Sequence, residues 1–373
     1  MSTIGDVARR AGVSKVTVSR VLNGATHVNP DTRARVEQAI SDLKYMPNLA
    51  ARSLRSRQSS TIALVVPDIT NVFWTTVARG VEDEAQRRDY SVFLGNTDES
   101  ADKQRSYLRA VVQQRVDGVI IAPYNCEAVS IRPLADNRIP TVVIDRKLDQ
   151  WEVDSVRGDS AGGACALVGH LVQLGYRRIA MISGPKGAST AEERAAGYLL
   201  ALRKAGIGYD PRLLRWGEFR ASSGEMLAAD LYANGPIPDA IFAANNQIAL
   251  GALEFLLKRG LKVPEDVALV CFDEMSDAAR LFQFFTVAAQ PAYEIGQTAA
   301  NLLFERIRGE NSAPVREVIM PSHLVLRSSC GRFAGSARPL QGLEVAVEVR
   351  QVPLFNLVEQ QALKECLDEL GRS

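Results

Sequence analysis

Between residues 61 and 330, short apolar runs alternate with amphipathic stretches, and this alternation constrains the fold more than any other feature. The runs lie at 62–66, 91–94, 118–122, 141–144, 178–182, 240–243 and 267–271, with amphipathic stretches such as 161–174 and 191–204 between them. Parallel strands need a crossover long enough to hold a helix, so this rhythm predicts an α/β chain with parallel sheets covered by helices on both faces. A stretch of about 270 residues exceeds one comfortable sheet, and the rhythm restarts after residue 160. The prediction is two similar lobes with a cleft between them, at the carboxyl ends of the strands where ligands bind.

The first 60 residues have a different character. They carry ten Lys/Arg against four Asp/Glu, whereas the whole chain is nearly balanced at 44 against 43. A basic head on an acidic body points to a polyanion partner for the head alone. Ile4, Val7, Ala8 and Ala11 recur at helical spacing, and Gly12 then supplies a residue that tolerates positive φ. Ser14 is a natural N-cap for a second helix over 15–22, with Val18, Val21 and Leu22 facing inward. Asn23-Gly24 ends it. A third helix starts at Pro30 or Asp31, and its Val36, Ile40 and Leu43 complete a mini-core. Helix, tight turn, helix is the helix-turn-helix geometry, in which the second helix enters the major groove of a duplex. Lys15 and Arg20 point away from the mini-core and can reach base edges, and Val16 offers apolar contact to a thymine methyl. Thr17 and Ser19 are placed for phosphates. Pro47 stops the third helix and can open a fourth over the arginine-rich stretch around Leu54, too short to be stable alone. An apolar side chain presented there can wedge into a minor-groove base step.

The head string TIGDVARRAGVSKVTVSRVLNG and the later string YMPNLAARSLRS resemble the LacI/GalR family of transcription regulators, and the resemblance runs on in order to about residue 330. It implies a helix-turn-helix DNA-binding domain at 1–46, a hinge helix and linker at 47–60, and a two-lobed body at 61–330 like the periplasmic ribose-type binding proteins. Lobe one would hold about 61–160 and 290–319, lobe two about 161–289 and 320–330. It further implies a homodimer, or a tetramer built from it, that represses sugar-utilisation genes from a pseudo-palindromic double-stranded operator. Lys15, Val16 and Arg20 fall at the base-reading positions, Leu54 at the hinge leucine, and Thr17, Ser19, Asn23, Asn48 and Arg55 join the DNA-facing set.

The strand ends of the body are polar or aromatic: Asn71, Phe73, Trp74, Asp145, Arg146, Arg194, Trp216, Asn245, Asp273 and Gln290. Aromatic faces cover the C–H surface of a sugar, and planar Asp, Asn and Arg groups engage paired hydroxyls in two-point hydrogen bonds. Singly, each residue could be a strand-end cap. Together, in NVFW, VIDR, AEERAAGY, ANNQIALGA, VCFDE and AAQ, they resemble the sugar-contacting set of the ribose-type binding proteins. A small sugar effector follows, a ribose-like pentose or a hexose, with a nucleoside or purine as the alternative. One departure is Asn246, where the family usually has Asp.

A hydrolase reading also exists, because Gly158-Asp159-Ser160-Ala161-Gly162 satisfies G-x-S-x-G, with Asp273 and His323 following in the required order. No HGGG-type oxyanion segment lies upstream, however, and the basic head would go unexplained, so no enzyme is expected. The five cysteines, Cys126, Cys165, Cys271, Cys330 and Cys366, never form a CxxC pair, and the three histidines lack metal spacing. No cofactor or metal is expected. Without a signal peptide or a run of about 20 apolar residues, the expected compartment is the cytoplasm, with no membrane partner. Residues 331–373 form a C-terminal extension: a linker at 331–339, a strand-like alternation at 343–349, and an amphipathic helix at 356–370. Packing on the body, oligomerisation and loose order are all open for it.

Overall fold

The sequential alternation of the body resolves into two sheets. In the computed structural model, which describes residues 2–22, 25, 27–45, 59–148, 152–275, 284–309, 314–331 and 348–372, the chain forms two units, Met1–Ser60 and Thr61–Ser373. Within the second unit, β1 (Thr61–Val66), β2 (Ser91–Asn96), β3 (Gly118–Ile121), β4 (Thr141–Ile144), β5 (Asp154–Gly158) and β11 (Glu317–Met320) make a wholly parallel sheet in the order β11-β5-β4-β3-β1-β2. The second sheet has β6 (Ile179–Ser183), β7 (Leu214–Trp216), β8 (Ala240–Ala243), β9 (Ala268–Phe272), β10 (Thr286–Ala289), β12 (His323–Leu326) and β13 (Glu348–Gln351), ordered β13-β12-β10-β9-β8-β6-β7. It is parallel from β7 to β10, and β12 and β13 add antiparallel.

Helices cover both faces of each sheet. Lobe one carries α4 (Val72–Gln86), α5 (Ala101–Gln114), the short α6 (Arg132–Asp136) and α11 (Ala292–Ile307); lobe two carries α7 (Ser160–Gln173), α8 (Ser189–Lys204), α9 (Ala221–Asn234) and α10 (Asn246–Lys258). The same packing device serves both lobes. A Cβ on Gly80 of α4 would overlap the carbonyl oxygen of Tyr293, and one on Gly296 of α11 that of Val77. In lobe two, Gly224 of α9 and Gly251 of α10 are pressed in the same way against Ile248 and Ala221. Small residues here let two helix backbones approach to a distance that any side chain would prevent.

Three connections cross between the lobes: β5 to α7, β10 to α11, and β11 to β12. They lie side by side, since the Asp159 amide donates to the Met320 carbonyl at 2.8 Å and the Ser322 hydroxyl to the Asp159 carbonyl at 3.2 Å. Gly158 admits Gln290 against its backbone.

The C-terminal extension completes lobe two. Its described strand is β13 at 348–351, the expected alternation at 343–347 lying outside the described residues, and α12 (Leu357–Arg372) lies on α8. Cys366 and Leu370 of α12 are buried in the lobe-two core, while Arg203 pairs with Glu365 and Glu369, and Lys204 with Glu359.

The first unit is a three-helix module: α1 (Ile4–Ala11), α2 (Lys15–Leu22) and α3 (Pro30–Asp42). Thr3 and Asp6 form a reciprocal capping box on α1, and Gly12 ends it at φ +65°. Ser14 Oγ accepts the Thr17 amide at 3.1 Å, and Asn29 caps α3. Val7, Val18 and Val36, one from each helix, are completely buried and form the centre of the mini-core.

Candidate functional site

The head presents a defined outer face on α2. With Val18 and Val21 turned inward, Lys15 and Arg20 are exposed, Val16 stands 52% exposed, and Thr17 and Ser19 are half-buried at the margin. An exposed valine between two long cations suits a surface that meets base edges rather than water. The Thr17 hydroxyl already lies 2.9 Å from Ser14 Oγ within the helix cap. Asn23, Asn48, Leu54 and Arg55, with the hinge helix, lie outside the described residues.

In the body, a cavity of about 450 Å³ opens between the lobes at the strand ends. It is lined by eight of the ten expected residues: Asn71, Phe73, Trp74, Asp145, Arg146, Arg194, Asn245 and Asp273. Asp145 follows β4 and Asp273 follows β9 in matching conformations, at φ 63° and 68°. Each amide reaches the next strand, Asp145 to the Val156 carbonyl at 3.0 Å and Asp273 to the Ala288 carbonyl at 2.9 Å. The left-handed turn lifts each carboxylate out of the sheet into the cleft.

Arg194, from buried α8, anchors the polar floor. Its Nη1 donates to the Ala244 carbonyl at 2.7 Å and lies 3.8 Å from Asp273 Oδ2, and the guanidinium stacks on Phe272 at 3.9 Å. Burial pushes the Asp145 carboxyl up to about 6, with Arg194 and then Arg146 pulling the other way. Burial also raises Asp273, against the pull of Arg194 and the hydrogen bond from Gln290. Two costly buried carboxylates around one guanidinium, with Arg194 Nε left without a partner among the described residues, form a polar site suited to a ligand that brings its own donors and acceptors. Phe73 and Trp74, in the first turn of α4, meet edge to face at 4.9 Å in the same lining.

Several cleft residues do structural work as well. Asn71 caps α4 through the Phe73 amide, and Asn245 caps α10 through the Ile248 amide. Arg146 is held by an ion pair with Glu99 and by the carbonyls of Pro123 and Tyr124, at 2.9 and 3.0 Å. The lobes also bond directly across the cleft: Asn246 Nδ2 to Asn71 Oδ1, Arg220 to the Asp98 carbonyl, and Lys147 to Glu193.

Two expectations need correction. Trp216 does not line the cavity: it is the last residue of edge strand β7, with Lys186 Nζ 5.7 Å over its ring. Gln290 does not line it either. It lies at the β10–α11 crossover and donates to Asp273 Oδ1 at 2.7 Å, so it supports a cleft residue from behind. Residues missed from sequence include Glu99, Thr190, Phe219, Arg220 and Gln247. Phe219 and Arg220 lie just beyond β7, a three-residue strand whose end the sequence marked only at Trp216. Ser160 is buried in the first turn of α7, whose N-cap is Asp159, so the G-x-S-x-G string is a helix start.

A helix-turn-helix module ahead of a two-lobed body with a polar interlobe cleft defines a ligand-responsive DNA-binding regulator. Residues 3–48 match the model of bacterial regulatory proteins of the lacI family, and residues 59–328 match that of periplasmic binding proteins and the sugar-binding domain of the LacI family. The chain belongs to the LacI family. It is 36% identical over 308 residues to the ribose operon repressor of Bacillus subtilis (strain 168), covering 83% of this chain and 92% of that one. A transcriptional regulator CelR–cellobiose complex superposes with a TM-score of 0.67 at 33% identity, covering 88% of this chain and 100% of the other. The lac repressor dimer bound to operator and the anti-inducer ONPF superposes with a TM-score of 0.75 at 29% identity, covering 85% and 96%. These relatives are regulators and not enzymes. Among the described residues no helix is long and apolar enough to cross a membrane.

Proposed function

We propose that this regulator represses sugar-utilisation genes from a pseudo-palindromic operator, as a cytoplasmic homodimer or a tetramer built from it, and that a ribose-like pentose or a hexose between the lobes sets its operator affinity. The observation that carries the sugar reading is one cavity lining that gathers Asp145, Asp273 and Arg194 with the aromatic pair Phe73 and Trp74. Carboxylates and a guanidinium engage vicinal hydroxyls in pairs, and the aromatic wall takes the C–H face. A site built this way rejects analogues that lack the hydroxyls, because its buried polar groups would then stay unpaired. Arg146 and Asn245 bound the same pocket; Gln290 acts through Asp273.

On the DNA side, Lys15, Val16 and Arg20 read the major groove, and Thr17 and Ser19 contact phosphates. Asn23, Asn48, Leu54 and Arg55 complete the set from outside the described residues, with Leu54 as a minor-groove wedge. Sugar and operator binding then couple through the lobes by about 1–3 kcal/mol, the usual size of an allosteric coupling. The test is a thermal-shift screen of the full chain with D-ribose, other monosaccharides and nucleosides, followed by operator binding with each hit. A sugar that raises the melting temperature and changes operator affinity supports the reading. Stabilisation by nucleosides alone, or sugar binding retained in Asp273→Ala, refutes it.

A further inference from the structure

Glu193 and Arg194 are consecutive on α8 and face different neighbours. Arg194 anchors the cleft, whereas Glu193 is a buried lobe-two carboxylate whose ion-pair partners among the described residues, Arg157 and Lys147, both belong to lobe one. The two cations are held differently. Arg157 is the next to last residue of β5, and its Nη1 donates to both carboxylate oxygens of Glu193, at 3.1 and 3.0 Å. Its Nε donates to Glu317 of β11 at 2.8 Å. β5 and β11 each feed one of the three crossovers, so Arg157 sits at the pivot, where rotation of the lobes moves it least.

Lys147 follows β4, a strand that feeds no crossover. Its Nζ lies 2.7 Å from Glu193 Oε1, and its backbone amide donates to Ser189 Oγ at 3.0 Å. Ser189 and Glu193 are four residues apart, on one face of α8. Lys147 therefore grips the start of that helix by backbone and side chain together. Its side chain is 47% exposed, so water can replace it when the lobes part. It does not line the 450 Å³ cavity.

We propose that Glu193 is shared between a fixed cation, Arg157, and a movable one, Lys147, and that Lys147 is a positioning residue for effector binding. With the lobes closed, both cations hold Glu193 and pin the first turns of α8 against lobe one, which brings Arg194 to the lobe-one side of the cleft. With the lobes apart, Lys147 lets go, while Arg157 turns with the helix and keeps the carboxylate paired. Opening therefore strands no charge, whereas breaking a buried pair outright would leave one uncompensated. The clasp can be made and broken repeatedly, and salt weakens its exposed half. Because Lys147 contributes charge across the lobes and no contact to the effector, its loss scales the affinity for every effector alike.

X-ray scattering of the full-length, effector-free protein tests this in wild type, Lys147→Met, Lys147→Arg and Glu193→Gln. Lys147→Met and Glu193→Gln should raise the radius of gyration, as should salt of about 1 M on wild type. Lys147→Arg, which keeps the charge, should leave it unchanged. Calorimetry with D-ribose and with adenosine then reads affinity. For whichever binds, Lys147→Met should lose about fivefold and Lys147→Arg should not. Lys147→Met combined with Glu193→Gln should bind no more weakly than Glu193→Gln alone. A radius of gyration unchanged in Lys147→Met overturns the proposal, as do losses that add in the double variant. Binding of adenosine without D-ribose removes the sugar reading and leaves the clasp standing; if neither binds, scattering decides.

Discussion

Asn246 Nδ2 donates to Asn71 Oδ1 at 3.0 Å, joining the first residue of α10 in lobe two to the cap of α4 in lobe one. The same amide nitrogen also donates to the Glu274 carbonyl at 3.0 Å. Both partners are acceptors, so the position requires a donor. That accounts for Asn where the family usually has Asp: a carboxylate would face two oxygens. Asn246→Asp is therefore expected to loosen lobe closure. Effector affinity should fall about tenfold, and the radius of gyration of the liganded protein from X-ray scattering should rise towards that of the free protein. An unchanged affinity would show that this bond does not hold the lobes.

Asp145 gives a pH dependence of definite sign. Its folded pKa is raised from the ordinary 3.8 to about 6, chiefly by burial. The folded state therefore binds this proton more tightly than the unfolded state. Below about 4 both states are protonated and the group is neutral in its effect; between about 4 and 6 it increasingly opposes folding; above about 6 the full penalty applies. Asp145→Asn should raise the melting temperature by a few °C at pH 7.5 and by only about a third as much at pH 4.5, while abolishing sugar binding. Thermal unfolding of both proteins across that range tests it, and a stabilisation larger at pH 4.5 would contradict it.

Arg20 and Ser19 should separate reading from positioning on the head. Arg20→Ala is expected to cost about 1–3 kcal/mol on the best operator and to relax preference at one base pair per half-site. Ser19→Ala should weaken all duplexes alike, by about 1 kcal/mol or less. Binding to a randomised operator library measures both, and an unchanged base profile for Arg20→Ala would remove it from the reading set.

The C-terminal extension should matter for stability. Leu370 and Cys366 are buried in the lobe-two core. Leu370→Ala should destabilise by about 2–5 kcal/mol through the cavity it leaves. A chain ending at Cys330 would uncover the outer face of α8 and the edge of β12, and is expected to melt well below the full chain and to aggregate. Native melting and unchanged solubility would make the extension an appendage.

The sequence disclosed what rests on periodicity. The head could be read almost residue by residue, since its caps, Gly12 turn and inward valines are local signals. The two-sheet body followed from the apolar runs. Part of what escaped had one cause: polar residues buried in ion pairs. Strand β5 reads as polar because Asp154 and Arg157 lie in it, yet Asp154 is paired with Arg306 and Arg316, and Arg157 with Glu193 and Glu317. No local pattern announces partners more than thirty residues away. Gln290 failed for a related reason: its place in the chain put it at a strand end, but only the packed crossover shows that its amide is spent on Asp273.

The three connections that cross between the lobes have a consequence for how the protein is made. Lobe one lacks α11 and its edge strand β11 until most of lobe two has been synthesised, and lobe two in turn waits for β12, β13 and α12. Neither lobe is a contiguous stretch of polypeptide, so neither can finish folding first as the chain leaves the ribosome. The head, whose mini-core is drawn from residues 4–45, completes at the start of synthesis. The part that holds DNA is thus made long before the part that answers to sugar, and the two lobes, finished together, mature as one switch.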